Sequence, residues 1–157
     1  MKLVQSPLKL SDFYILQSKY SFVEPINNKS EDQSIFEDYN LDFDFSFKNQ
    51  DDGEVFLFTK ISINEIEKPL SGYTMFVEAI TIFEFKDKEK LSEKEIFDLL
   101  YISGLSISIN NLRNYISNMT MYFPFGKYQL PAIDLNALHI SKKEKLEAKK
   151  KVKNKKK

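Results

Sequence analysis

The stretch Arg113–Leu138, RNYISNMTMYFPFGKYQLPAIDLNAL, decides how the carboxyl-terminal part of this chain folds. Its first residues continue an apolar pattern typical of a helix, and residues 122–131 then form an aromatic connector with two prolines and one glycine. Proline lacks a backbone N–H and glycine adopts conformations closed to other residues, so we expect an irregular connector. An amphipathic helix restarts near Leu135. This order indicates a long, ordered crossover on a protein surface instead of an active site.

The residues before the connector have the pattern of helices. Ser92 and Glu95 fit a capping box, in which each side chain satisfies a free backbone N–H of the other residue. Gly104 is expected to break or kink the helix that starts there. Leu105–Ile109 also alternates between apolar and polar residues, so a strand stays an alternative for these five positions. A second apolar stripe at helical spacing favours a helix and is formed by Ile109, Leu112, Ile116 and Met119.

The amino-terminal half has the pattern of β-strands. The cleanest alternation lies in Leu41–Phe47, where apolar residues share one face and Asp42, Asp44 and Ser46 share the other. Further strands are predicted over residues 13–23, 55–66 and 73–85, with a loop over residues 26–38. Neighbouring antiparallel strands with short connections favour a meander.

The order of strands and helices predicts an α+β fold class. We expect a four-stranded antiparallel meander sheet with the carboxyl-terminal helices packed on one face, where they bury Phe43 and Phe45. The other face of the sheet should be solvent-exposed and acidic.

The net charge of zero conceals two parts of opposite sign. Residues 142–157 hold ten lysines and two glutamates, a net charge of +8, and residues 1–141 have a net charge of −8. The length of 157 residues suits one domain, which we assign to residues 1–141. Residues 142–157 are predicted to be a basic, disordered tail because they lack an apolar face to bury.

Several function classes find no support in the composition. The chain has no cysteine, one histidine and four glycines, so thiol chemistry, Cys-ligated zinc and a glycine-rich nucleotide cradle are not expected. We predict no catalytic residue, no metal site and no cofactor, and therefore not an enzyme. His139 is expected to be a partly exposed residue on the last helix. The start of the chain does not resemble a signal peptide, and residues 99–112, the longest uncharged stretch, are too short to span a membrane, so we expect a cytoplasmic protein.

Three segments together resemble the bacterial export chaperone SecB and its relatives. Phe123–Leu138, FPFGKYQLPAIDLNAL, is similar to the family's ending, where a phenylalanine-proline connector leads to a Leu-x-x-Pro-[Val/Ile]-[Asn/Asp]-Phe-[Asp/Asn]-Ala-Leu stretch. Leu112–Ile116 stands where the family has a helix with aromatic and Arg residues. Phe22–Pro25 is similar to the end of the family's early strand. The resemblance covers about residues 10–140.

The resemblance implies a four-stranded sheet and a long helix assembled as a dimer of dimers. It further implies an ATP-independent holdase that binds unfolded or extended polypeptides in protein export, with SecA as a possible partner. A dedicated interaction module on the same scaffold, such as a chaperone that stabilises an antitoxin, is the alternative. A third hypothesis, a nucleic-acid accessory driven by the lysine tail, is the least favoured because the tail lacks aromatic residues for base stacking.

Two sets of candidate site residues follow. Aromatic rings offer large apolar contact at a low entropy cost, so the connector rings are candidates for client contact, although they could simply pin the connector to the sheet. The outward carboxylates could form a docking surface for a basic partner or an ordinary solvated face. The client-binding candidates are Tyr122, Phe123, Phe125 and Tyr128, and the docking candidates are Asp42, Asp44, Glu78 and Glu84.

Overall fold

The computed structural model of the chain describes residues 2–25, 36–51 and 53–154. Most of the loop predicted over residues 26–38 therefore lies outside the described residues. The strands come first and the helices follow, which confirms the α+β prediction. The elements are strands β1 (Leu8–Val23), β2 (Leu41–Asn49), β3 (Val55–Ile63) and β4 (Gly72–Phe85), helices α1 (Glu93–Asp98) and α2 (Leu105–Met119) with a π-helical segment (Leu99–Gly104) between them, and helix α3 (Leu135–Asn154).

The four strands form one antiparallel sheet in the order β1-β4-β3-β2. Strands β2 to β4 follow one another as a meander, but β1 lies beside β4 instead of β2, which is the strand order of a Greek key. A period-two pattern identifies a strand without identifying its partner, and here the pairing joins Leu8 to Phe85 and Val23 to Gly72. Strands β1 and β2 are consequently the two edges of the sheet.

One face of the sheet packs against the helices, as predicted. Leu57 and Val77 point from the two central strands into this interface, and Phe45 of β2 is buried there too, while Phe43 is half-buried. The apolar stripe of α2 covers them, because residues three and four apart lie on one side of a helix. The α2 side chains in the core are Leu105, Ile109, Leu112 and Ile116.

The opposite face of the sheet is mixed, and the prediction that it is acidic holds only for part of it. Cross-strand partners Phe58 and Ile80, next to Phe56 and Ile82, form an apolar band across the central strands. The expectation came from the alternation in β2 alone, which is an edge strand. Outward residues of the central strands are only half-exposed or buried, so apolar side chains are tolerated there.

Helices α1 and α2 and the π-helical segment form one continuous helical run from Glu93 to Met119. The capping box is confirmed: the Ser92 N–H donates to Glu95 Oε2 at 2.9 Å, and the Glu95 N–H donates to Ser92 Oγ at 3.3 Å. Gly104 does not break the helix, as its backbone is helical with φ of −60°. A Cβ at this position would lie 3.4 Å from the Phe83 ring, so the glycine lets the helix pack closely on the sheet.

Helix α3 crosses the predicted boundary at residue 141. Its backbone is helical from Leu135 to Asn154, so the prediction of disorder is wrong for residues 142–154. The helix begins after Asp134, whose carboxylate accepts hydrogen bonds from the backbone N–H groups of Asn136 and Ala137. Lysine is a good helix former, which allows the helix to continue without an apolar face.

Candidate functional site

The start of the connector is held by a hydroxyl group at the end of α2. Thr120 Oγ1 accepts a hydrogen bond from the Tyr128 N–H at 2.8 Å and donates one to the Ile116 carbonyl at 2.9 Å. Thr120 is fully buried, so this exchange satisfies polar groups that water cannot reach. The connector therefore folds back onto the helix that precedes it.

Two tyrosine hydroxyls join the connector to the sheet and to the segment before β2. Tyr73 of β4 accepts a hydrogen bond from the Phe125 N–H at 2.6 Å and donates to the Gly126 carbonyl at 2.9 Å. The Tyr39 hydroxyl accepts from the Tyr73 N–H at 2.7 Å and donates to the Ser71 carbonyl at 2.8 Å. Three segments that are distant in sequence are thus linked by one chain of hydrogen bonds.

Burial fixes these phenol groups in their neutral form. Burial raises the pKa of Tyr73 to about 12 and that of Tyr128 to about 12, because a phenolate would lose its hydration. The hydroxyl groups therefore stay protonated at physiological pH, and Tyr73 remains able to donate its hydrogen bond.

Arg113 holds the far end of the connector. Its Nε donates to the Leu130 carbonyl at 2.9 Å, its Nη2 donates to the Pro131 carbonyl at 3.1 Å, and its Nη1 donates to Asn110 Oδ1 at 2.5 Å. The guanidinium fork matches two successive carbonyl groups of an extended chain. With Thr120 and Tyr73, it fixes the connector at both ends and in its middle.

A groove lies between the fixed connector and the start of edge strand β2. Its volume is about 670 Å³, and its wall includes the stacked rings of Tyr39 and Tyr128, whose centroids are 5.9 Å apart. The Phe36 ring meets the Tyr128 ring edge-on at 5.3 Å. The lining residues are Phe36, Glu37, Tyr39, Leu41, Phe125, Gly126, Lys127, Tyr128, Gln129 and Pro131.

The chemistry of this groove suits an apolar segment in an extended conformation. Its floor consists of aromatic rings, and the charged groups Glu37 and Lys127 belong to exposed residues. An edge strand offers backbone groups that have no partner strand on one side. Among the residues the structure describes, no three His, Cys, Asp or Glu side chains come together in a way that could hold a metal ion.

The structure separates the four predicted client-binding rings. Phe125 and Tyr128 line the groove, although Tyr128 is almost entirely buried. Phe123 packs on Tyr20 at 3.9 Å between ring centroids and is half-buried. Tyr122 is 91% exposed and does not line the groove. Pinning of the connector and lining of the groove thus both occur, but for different rings.

The four predicted docking carboxylates do not form a single acidic cluster, since each is close to a lysine. Glu78 lies 3.7 Å from Lys60 Nζ on the neighbouring strand, and Glu84 lies 3.3 Å from Lys9 Nζ. Asp44 and Asp42 instead pair with Lys142 and Lys145 of α3, as the distances of 2.5 and 3.6 Å show. Their role in docking a partner stays a prediction.

Two wall residues of the groove escaped the sequence analysis. Phe36 and Tyr39 lie at the end of a polar segment that was predicted as a loop. A pair of aromatic residues three positions apart in such a segment was the signal available, but nothing local shows that they meet the connector.

The strand order, the long helix across one face and the crossover to a last helix define a SecB-like fold. The SecB-like chaperone Rv1957 of Mycobacterium tuberculosis, solved in complex with a ChAD peptide from the antitoxin HigA1 (Rv1956), is similar to this chain. The TM-score is 0.59 at 14% identity, and the match covers 81% of this chain and 91% of Rv1957.

A protein of unknown function from Streptococcus agalactiae matches with a TM-score of 0.38 and 11% identity, over 80% of this chain and 97% of that one, which is too low to carry an argument. No family model and no curated protein matches the chain. None of the helices in the described part of the chain is both long and apolar enough to span a membrane.

Proposed function

We propose that this protein is a SecB-like, ATP-independent holdase that binds non-native polypeptides in the cytoplasm and serves protein export. One observation carries the proposal: an aromatic groove lies open beside an edge strand and is fixed from several sides by buried hydrogen bonds. A binding role of this kind needs no catalytic residue, metal or cofactor.

The groove is suited to many clients because its main contact is apolar. Hydrophobic contact is non-directional, so different apolar side chains can occupy the same ring-lined space. Backbone hydrogen bonds along β2 would add affinity that does not depend on the client sequence. Since Tyr73, Thr120 and Arg113 already hold the connector, little conformational entropy would be lost on binding.

Two surfaces support the proposed assembly as a dimer of dimers. Strand β1, 16 residues long, is an edge of the sheet and leaves large apolar side chains exposed, Tyr14 at 51% and Leu16 at 53%. The exposed stripe of α2 carries Asn110, Asn114 and Asn118 instead of charged residues. Charged residues are depleted in the core of protein interfaces, so both surfaces suit contact with other copies of this chain.

SecA is proposed as a partner on weaker support. The carboxylates Asp42, Asp44, Glu78 and Glu84 all lie on strands of the sheet, where a basic surface could reach them. Each has a lysine neighbour, so a partner would have to exchange one ion pair for another. Exposed pairs contribute about 0–1 kcal/mol, and such an exchange is feasible.

A dedicated chaperone of one antitoxin is the second candidate. The observation that favours it is the similarity in fold to Rv1957, which was solved with a peptide from an antitoxin. This candidate uses the same groove but predicts one tight client instead of many weak ones.

Light scattering of a slowly folding, aggregation-prone protein tests the proposal. We expect suppression of aggregation at stoichiometric amounts of this protein, without ATP, and for at least two unrelated clients. Absence of suppression for every client tried would reject the general holdase. Suppression for an antitoxin alone would favour the second candidate.

A further inference from the structure

The free edge of β2 has two halves with different neighbours. At Leu41 the edge borders the open groove. Around Phe43–Phe45 it faces α3, and the gap between them, lined also by Leu138 and Lys142, is only about 10 Å³. That volume holds about one water molecule, so the second half of the edge is closed.

Two different kinds of contact hold α3 against this edge. Leu135 and Leu138, in the first turns, pack against the core. His139 adds a hydrogen bond of 2.9 Å from its ring Nε2 to the Tyr101 carbonyl in the π-helical segment. Because a carbonyl only accepts hydrogen bonds, this nitrogen carries the proton.

From Lys142 onward the contacts described are electrostatic. Lys142 Nζ lies 2.5 Å from Asp44 Oδ1 and 5.3 Å from the centre of the Phe45 ring, and Lys145 Nζ lies 3.6 Å from Asp42 Oδ1. Half or more of each aspartate side chain is exposed. Water and salt screen pairs of this kind, so the second half of α3 is held weakly.

The edge that α3 closes resembles the open groove in composition. Phe43, Phe45 and Phe47 follow Leu41 on the same face of β2, and the Tyr101 ring lies 4.6 Å from the Phe47 ring. An extended chain advances about 3.3 Å per residue, so a segment in the groove would reach Asp44 about three residues further along β2. There it would meet Lys142.

We propose that the basic half of α3, from Lys142 onward, is a releasable guard of edge strand β2, and that the strand from Phe43 to Asn49 is a second contact segment for extended client polypeptides. A short client occupies the groove alone. A longer client displaces Lys142 and Lys145 from Asp44 and Asp42 and continues along β2. The inference rests on the proposed binding of polypeptides in the groove.

The absence of cysteine in the chain allows a direct test with a double variant, Asp44→Cys and Lys142→Cys. A short bismaleimide linker between the two cysteines locks the guard, and the same variant capped with N-ethylmaleimide is the matched control. The probes are two extended apolar peptides, one of about five residues and one of about twelve, which correspond to the groove alone and to the groove plus β2.

We expect the linker to weaken binding of the long peptide at least about tenfold and to change binding of the short one less than about twofold. The variant Lys142→Gln with Lys145→Gln should bind the long peptide more tightly than wild type, whereas Lys143→Gln, exposed on the same helix, should not. Equal binding of the long peptide by linked and capped protein would overturn the guard while the short peptide still supports the groove. Failure of both peptides to bind any form would overturn the proposed function as well.

Discussion

The Tyr73 hydroxyl is the single atom on which the shape of the groove depends most. It holds two neighbouring backbone groups of the connector, the Phe125 N–H and the Gly126 carbonyl, at 2.6 and 2.9 Å. Tyr73 is itself fully buried, so water cannot replace these bonds without a rearrangement. A phenylalanine would keep the ring contacts and lose only the hydroxyl.

We predict that Tyr73→Phe lowers the free energy of unfolding by about 1–3 kcal/mol, because a connector N–H and a carbonyl lose their partner. Urea unfolding followed by circular dichroism measures this change. Tyr122→Phe is the control, since that ring is 91% exposed and should change stability by less than about 0.5 kcal/mol. Equal stability of Tyr73→Phe and wild type would contradict the role of the hydroxyl.

The raised pKa values of Tyr73 and Tyr128 predict a loss of stability at alkaline pH. The pKa is about 12 in the folded chain and about 10 in the unfolded chain, so the folded state holds these protons more tightly. The stabilisation is complete below pH 10 and is lost as the pH rises toward 12. Urea unfolding at intervals between pH 9 and 12 measures the slope, which should become smaller in Tyr73→Phe. An unchanged slope would show that this phenol does not contribute.

At the scale of elements, the two glycines around α2 have opposite roles. Gly104 has helical backbone angles, and its Cβ position is 3.4 to 3.5 Å from neighbouring atoms, which is ordinary contact distance. Gly126, in the connector, has φ of +73°, a conformation that L-residues adopt only at a cost. The first glycine is therefore replaceable by alanine and the second is not.

We expect Gly104→Ala to stabilise the chain by up to about 1 kcal/mol, because alanine loses less entropy in a helix. Gly126→Ala should destabilise it by about 1–2 kcal/mol, because the connector needs the left-handed conformation. Thermal unfolding of the two variants beside wild type compares them directly. A destabilised Gly104→Ala variant would mean that the packing on Phe83 is tighter than the distances indicate.

Local patterns predicted the elements better than their arrangement. The alternation in β2, the capping box at Ser92 and the apolar stripe of α2 involve neighbouring residues, and all three appear where the sequence predicts them. The place of β1 beside β4 depends on contacts between distant segments, which no local period encodes. The same holds for the groove: Tyr128 was a candidate, but its partners Phe36 and Tyr39 come from the other side of the sheet in sequence.

At the scale of the whole molecule, the two oppositely charged parts of the chain meet at one edge of the sheet. The basic part begins at Lys142, and its first contacts are with aspartates of β2. The disorder predicted from composition failed over residues 142–154 because composition cannot show that a helix already started at Leu135 will continue. The other edge, β1, has no such cover from the described helices and is the surface that we propose for self-association.

The assembly should therefore depend on β1. We predict that native mass spectrometry of wild type gives a tetramer, and that a charge on the exposed edge, Leu16→Lys, shifts it to smaller species because a buried lysine is unfavourable. Ile66→Lys, at 44% exposure in the loop between β3 and β4, is the matched control and should leave the mass unchanged. A monomeric wild type would contradict the proposed dimer of dimers.

The central claim, that extended apolar polypeptides bind in the groove beside β2, is tested most directly by tryptophan fluorescence. The chain has no tryptophan, so a peptide with one tryptophan reports binding without background. Wild type and Tyr122→Asp should shift the peptide emission to shorter wavelength with equal affinity, and Leu41→Asp, in the groove wall, should bind at least about tenfold more weakly. Equal affinity of Leu41→Asp and wild type, or a loss confined to Tyr122→Asp, would contradict the claim.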